Sequence, residues 1–80
     1  MDIERLVIDG GITGNAWATY ELKPNGSLLR VKSIYLPMRP TRAEARRDLL
    51  AWLDVIKLNR RTGAEKRGQA GRALARLEAE

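Results

Sequence analysis

Apolar and polar residues alternate in short runs up to residue 36, and from Thr41 onward they repeat with a helical period. Alternation sends successive side chains to opposite faces of a strand, whereas spacings of three and four gather them on one face of a helix. Three strands are predicted: Arg5 to Asp9 (RLVID), Asn15 to Lys23 (NAWATYELK) and Ser27 to Leu36 (SLLRVKSIYL). Pro24-Asn25-Gly26 between the second and third is a hairpin signal, because Pro presets φ while Asn and Gly tolerate the left-handed region. Gly10, Gly11 and Gly14 predict a looser turn between the first and second strands.

Thr41-Arg42-Ala43-Glu44 reads as a capping box that opens a helix, the hydroxyl and the carboxylate each taking an orphan backbone N–H. Pro37 and Pro40 keep the approach extended. The helix sets Ala45, Leu49, Trp52, Leu53 and Ile56 on one core-facing stripe and should end near Arg61, with Thr62-Gly63 as the break. A second helix is expected over 64–79, with Ala70, Ala73, Leu74 and Leu77 as its stripe. Gly68 and Gly71 weaken that helix by up to about 1 kcal/mol each, so it needs docking to persist. Ala64, Gly68, Gly71 and Ala75 form a line of small residues suited to close approach of another backbone, most simply the first helix. The expected fold is α+β, ordered β-β-β-α-α, with helices on one face of an antiparallel sheet. It forms a single domain over 1–80, with the sheet in 3–36 and helices at 41–61 and 64–79.

Length and composition narrow the chemistry. Eighty residues bury only about 60% of the unfolded surface, which leaves a thin stability margin and little room for a deep cavity. The chain contains no Cys and no His, which excludes disulfides and thiol nucleophiles and removes the commonest general base and transition-metal ligand. No hydroxyl lies in a recognisable nucleophile context, and most carboxylates have a cap, pair or terminus to explain them. Neither an enzyme nor a bound metal or cofactor is expected. No apolar run approaches the roughly 20 residues of a membrane span. Asp2 and Glu4 stand where a signal peptide would be positive, so a cytoplasmic location is expected. Gly10 to Gly14 lacks the following helix and Lys-Ser/Thr pair of a phosphate loop, and reads as a turn.

Charge then changes the picture. Residues 30–76 hold 13 Lys or Arg against four acids, a balance of +9, within a chain of net charge +5. Arg42, Arg46 and Arg47 open the first helix, where positive charge opposes the helix dipole. Residues 57–76 carry Lys57, Arg60, Arg61, Lys66, Arg67, Arg72 and Arg76 against Glu65 alone. Glu44–Arg47 and Asp54–Lys57 are candidate i,i+3 pairs and leave most arginines without a partner. Arg outnumbers Lys 11 to 4, which suits bidentate contact with phosphate or carboxylate.

The aromatic residues are few. Trp52 falls on the core stripe, and Trp17 suits the core better than an exposed stacking position. Arg30 and Lys32 share one face of the third strand, but their neighbours depend on the hairpin. A two-residue Asn25-Gly26 loop sets Glu21 opposite Arg30 and Thr19 opposite Lys32. A three-residue Pro24-Asn25-Gly26 loop with a bulge sets Tyr20 opposite Arg30 and Ala18 opposite Lys32, an aromatic among cations. Charge pairing favours the first and turn chemistry the second; turn chemistry tips the balance.

The order of a sheet, an Asn-Gly hairpin and then Thr41 to Leu53 (TRAEARRDLLAWL) resembles the arm-type DNA-binding domains of phage tyrosine integrases, over roughly residues 15–55. The resemblance implies a three-stranded sheet backed by a helix, whose sheet face enters the major groove and uses Arg30 and Lys32. In size and general character the chain is also similar to anti-CRISPR proteins, small phage-encoded inhibitors that dock on a host defence complex. Two partners are therefore expected as alternatives: nucleic acid or a nucleoprotein, or an acidic protein surface, with the chain a monomer or weak dimer. The residues expected to make contact are Arg30, Lys32, Arg42, Arg46, Arg47, Arg60, Arg61, Lys66, Arg67, Arg72 and Arg76, whose phosphate contacts position rather than specify.

Overall fold

The Pro-Asn-Gly hairpin sets the register between the second and third strands. In the computed structural model, which describes residues 1–80, β1 (Leu6–Asp9), β2 (Ala18–Leu22) and β3 (Leu28–Arg30) form an antiparallel sheet in that order. Lys23 N–H donates to the Ser27 carbonyl at 2.8 Å and Gly26 N–H to the Lys23 carbonyl at 2.9 Å. Gly26 has φ +88°, a conformation that a Cβ would strain. This is the three-residue loop with a bulge, and it sets Tyr20 opposite Arg30. On the other side of Tyr20, β1 contributes Val7.

The third strand is shorter than the alternation predicts, ending at Arg30 instead of Leu36. Val31 N–H still bonds the Thr19 carbonyl, at 3.0 Å. Beyond it Ser33 builds a local turn, its hydroxyl oxygen accepting Tyr35 N–H at 3.1 Å and its carbonyl accepting Leu36 N–H at 3.2 Å. That turn drops Leu36 into the core, and burying this side chain outweighs continued pairing on an edge strand. The chain returns at Arg39, which exchanges both backbone bonds with Trp17 at 2.7 and 2.8 Å. Arg39 is fixed to the first helix by two bonds to Asp48, at 2.7 and 3.2 Å, and this contact raises its guanidinium pKa above the ordinary value.

The helices are α1 (Arg42–Leu58) and α2 (Ala64–Glu78). Thr41 caps α1 by accepting Glu44 N–H at 3.3 Å, while the Glu44 carboxylate takes the Thr41 hydroxyl at 2.9 Å. Only the forward half of the capping box therefore forms. The helix stops at Leu58 rather than Arg61, because Asn59 turns its side chain onto the Arg61 N–H at 3.0 Å. A 3₁₀ turn at Ile3–Arg5, capped by Asp2, precedes the sheet and lies against α2.

The core joins Ile3, Leu6 and Leu36 to Leu49 and Leu53 of α1 and Ala70, Ala73, Leu74 and Leu77 of α2. Ile8 and Val31 pack against this cluster, so the helices cover the sheet face opposite Val7, Tyr20 and Arg30. Trp52 packs against the cluster without entering it, and Trp17, also half-buried, lies close against Gly10. The small-residue line does not pack backbone against α1: Ala64 and Ala75 are exposed, and at Gly71 only the Lys57 side chain of α1 comes near. The stripe of Ala70, Ala73, Leu74 and Leu77 buries the opposite side of α2 and leaves that line outward.

Glu21 is buried on the covered face of β2, and its carboxylate accepts Asp2 N–H at 2.9 Å and lies 3.2 Å from Lys23 Nζ. The Asp2 N–H, followed by Lys23, holds its carboxyl below the ordinary value of 4.5. A carboxyl depressed in the folded state stabilises the fold above its unfolded pKa and loses that contribution as pH falls through the folded pKa. Urea midpoints measured from about pH 7 to about pH 3 should therefore fall below pH 4.5 in the parent, with a shallower fall in Glu21→Gln. Parallel curves would remove Glu21 from the acid transition.

Candidate nucleic-acid interface

Four of the expected contact arginines are used inside the fold, as are Arg39 and Arg5, whose Nε donates to the Leu22 carbonyl at 2.7 Å. Arg72 pairs with the Glu4 carboxylate, and Arg42 with Glu80 at 3.0 Å. Arg46 donates to the Leu77 carbonyl at 2.9 Å, placing a cation on the last turn of α2, where the helix dipole favours one. Arg76 donates to the Leu6 carbonyl and lies 4.0 Å from Glu80. These contacts reach across the chain and tie α2 to α1 and to the 3₁₀ turn. The candidate i,i+3 pairs Glu44–Arg47 and Asp54–Lys57 are absent from the ion pairs that form.

A second group gathers where α1 passes into α2. Lys57 lies in the last turn of α1. Asn59-Arg60-Arg61-Thr62 closes a turn, with Thr62 N–H on the Asn59 carbonyl at 3.1 Å and Arg61 N–H on the Asn59 side chain at 3.0 Å. Arg60 and Arg61 occupy its two central positions, so a doubly bonded backbone presents both side chains to solvent. Lys66 and Arg67 follow in the first turns of α2. None of these five cations makes an ion pair, and the buried Arg67 Nε has no hydrogen-bond partner. Gly63 gives α2 no side-chain cap, so the helix dipole adds to their positive field.

The corner borders a cleft of about 420 Å³ lined by the apolar Met1, Ile3, Trp52 and Ile56 and by the cations Arg61 and Lys66. Across Trp52 lies a second groove of about 380 Å³, bounded by Tyr35, Asp48, Ala51 and Val55. One indole therefore forms part of both walls.

The remaining candidates lie elsewhere. Arg30 is on the uncovered sheet face opposite Tyr20, its buried Nε without a partner. Lys32 is exposed beyond the end of β3, and Arg47 is exposed on α1 without an ion pair. Of the eleven expected contact residues the corner thus brings together Arg60, Arg61, Lys66 and Arg67, and Lys57 joins them. Its signal in the sequence was a position one helical turn before Arg60 and Arg61, offset there by the assignment to Asp54.

The assembled chemistry is that of an anion contact surface with apolar walls. No cluster of three or more carboxylates converges that could hold a metal ion. No helix is long and apolar enough to cross a membrane. Comparison with protein-family models, with characterised proteins and with solved structures gives no match.

Proposed function

We propose that this protein is a non-catalytic binding module that engages nucleic acid, alone or within a nucleoprotein, by laying the α1–α2 corner along backbone phosphates. The observation that carries this reading is the division among the cations. Arg42, Arg46, Arg72 and Arg76 have acceptors within the fold, whereas Lys57, Arg60, Arg61, Lys66 and Arg67 lie at one corner and form no ion pair, with Glu65, next to Lys66, the one acid in the first turn of α2. Unneutralised charge at one place repels itself, and a phosphate chain supplies the missing counter-charge while releasing condensed counterions. Arg30 and Lys32, nominated by the resemblance to integrase arm domains, form a separate and smaller contact supported by Tyr20 across the hairpin.

Salt dependence is the direct test. Five phosphates neutralised on a duplex give log K against log[salt] a slope of about −4 to −5, and a single strand about −3 to −4. Fluorescence anisotropy with labelled duplex DNA, single-stranded DNA and RNA at about 50 and about 200 mM salt measures it. Binding of any of the three with a slope in that range is the expected result. No binding at the lower salt would overturn the reading.

One observation favours a protein-directed alternative, an inhibitor docking on a host complex. α1 exposes Val55 and Leu58, and the loop before it exposes Ile34 and Tyr35; Val55 and Tyr35 line the groove beside Trp52. Exposed apolar surface of that kind marks protein contacts more often than phosphate contacts.

A further inference from the structure

Phosphate contact alone does not use the apolar half of the basic cleft. Arg61 and Lys66 line it together with Trp52, Ile56, Ile3 and Met1. At about 420 Å³ its volume lies within the range of about 300–1,000 Å³ typical of small-ligand sites. Two cations beside an indole are complementary to a ligand that joins an anion to a flat, weakly polar ring. A nucleotide has that form, but within a duplex its ring is stacked and unable to reach the indole. In a single strand the ring can leave its neighbours and lie against an aromatic side chain while its phosphate stays on the cations. Polyglutamate or another acidic chain would satisfy Arg61 and Lys66 and leave Trp52 and Ile56 without a partner.

We infer that the cleft lined by Trp52, Arg61 and Lys66 receives an unpaired nucleobase, making single-stranded nucleic acid the preferred ligand of the corner. This rests on the nucleic-acid reading above and goes beyond it, since that reading is satisfied by a duplex. Base stacking on an aromatic residue is sequence-tolerant, so runs of any one base should bind with only modest preference.

The chain has two tryptophans, and Trp17→Phe leaves Trp52 as the sole reporter. In that protein an octamer of deoxythymidine should quench Trp52 emission and bind at least about tenfold more tightly than a duplex of equal charge. The duplex and a polyglutamate of equal charge should leave the emission unchanged. Lys66→Glu, at an exposed position, should weaken the octamer more than the duplex and reduce the quenching. Equal binding of octamer and duplex with unquenched Trp52 would overturn the cleft while leaving a phosphate-binding corner intact. Quenching by polyglutamate would also overturn it and indicate an acidic protein. Absence of binding to any nucleic acid would overturn the cleft together with the reading beneath it. If Trp17→Phe fails to fold, the parent protein with Lys66→Glu as its control gives the same comparison of total emission.

Discussion

Leu53→Ala is expected to lower the melting temperature by about 8–40 °C. Leu53 is 0% exposed and belongs to the cluster that joins α1, α2, the 3₁₀ turn and the sheet. Removing a buried Leu side chain to Cβ costs about 2–5 kcal/mol, part from lost transfer energy and part from the cavity left behind. A chain of 80 residues has a total stability of only about 4–12 kcal/mol, so one substitution removes a large share of it. About 4–8 °C per kcal/mol at this size gives the stated shift. Leu58→Ala is the matched control: it makes the same chemical change at a position 76% exposed on the same helix, and surface changes stay within about 0.5 kcal/mol. Thermal unfolding followed by circular dichroism separates the two. Similar shifts in both variants would show that α1 turns a different face inward.

Arg60→Glu with Arg61→Glu should reduce nucleic-acid affinity about a hundredfold or more and leave the melting temperature nearly unchanged. Two charge-assisted contacts contribute about 1.5–3 kcal/mol each, and reversal adds repulsion from the phosphates. Neither side chain has a partner within the fold, so folding loses nothing specific. Arg46→Ala makes the opposite test, since its guanidinium serves the Leu77 carbonyl from a half-buried position. Stability should fall there, with affinity nearly unchanged once the protein is folded. Affinity measured by anisotropy, with melting curves of the same samples, reads both effects. A loss of affinity in Arg46→Ala equal to that in the double reversal would erase the distinction between the two groups of arginines.

That distinction is where sequence and structure part company, and the reason is distance along the chain. Local signals were legible. Pro24-Asn25-Gly26 predicted the register that puts Tyr20 opposite Arg30, and Thr41 predicted the start of α1. Ala45, Leu49 and Leu53 predicted its buried face. Pairing between charges was not legible, because sequence shows only neighbours at helical spacing. Glu4 meets Arg72 and Glu80 meets Arg42, separations of 68 and 38 residues. These contacts exist only once the 3₁₀ turn and the end of α2 have docked. The same blindness lengthened β3: alternation from Ser27 to Leu36 looks continuous, but the position of the core decides that Leu36 must turn inward. Trp52 followed the helical stripe and still stands half outside, since a stripe gives direction and not depth.

The docking of the 3₁₀ turn on α2 also imposes an order on synthesis. Ile3 and Leu6 share their core with Leu77, and nothing made earlier in the chain replaces α2. At about 5–20 residues per second, translation from Leu6 to Leu77 takes about 4–14 s. Until α2 is made, α1 alone covers part of the sheet, and Ile3 and Leu6 lack the side chains of Ala70, Ala73, Leu74 and Leu77 that complete their core. The core therefore closes only when α2 docks, so the last part of the domain to be made is the part that the first residues need.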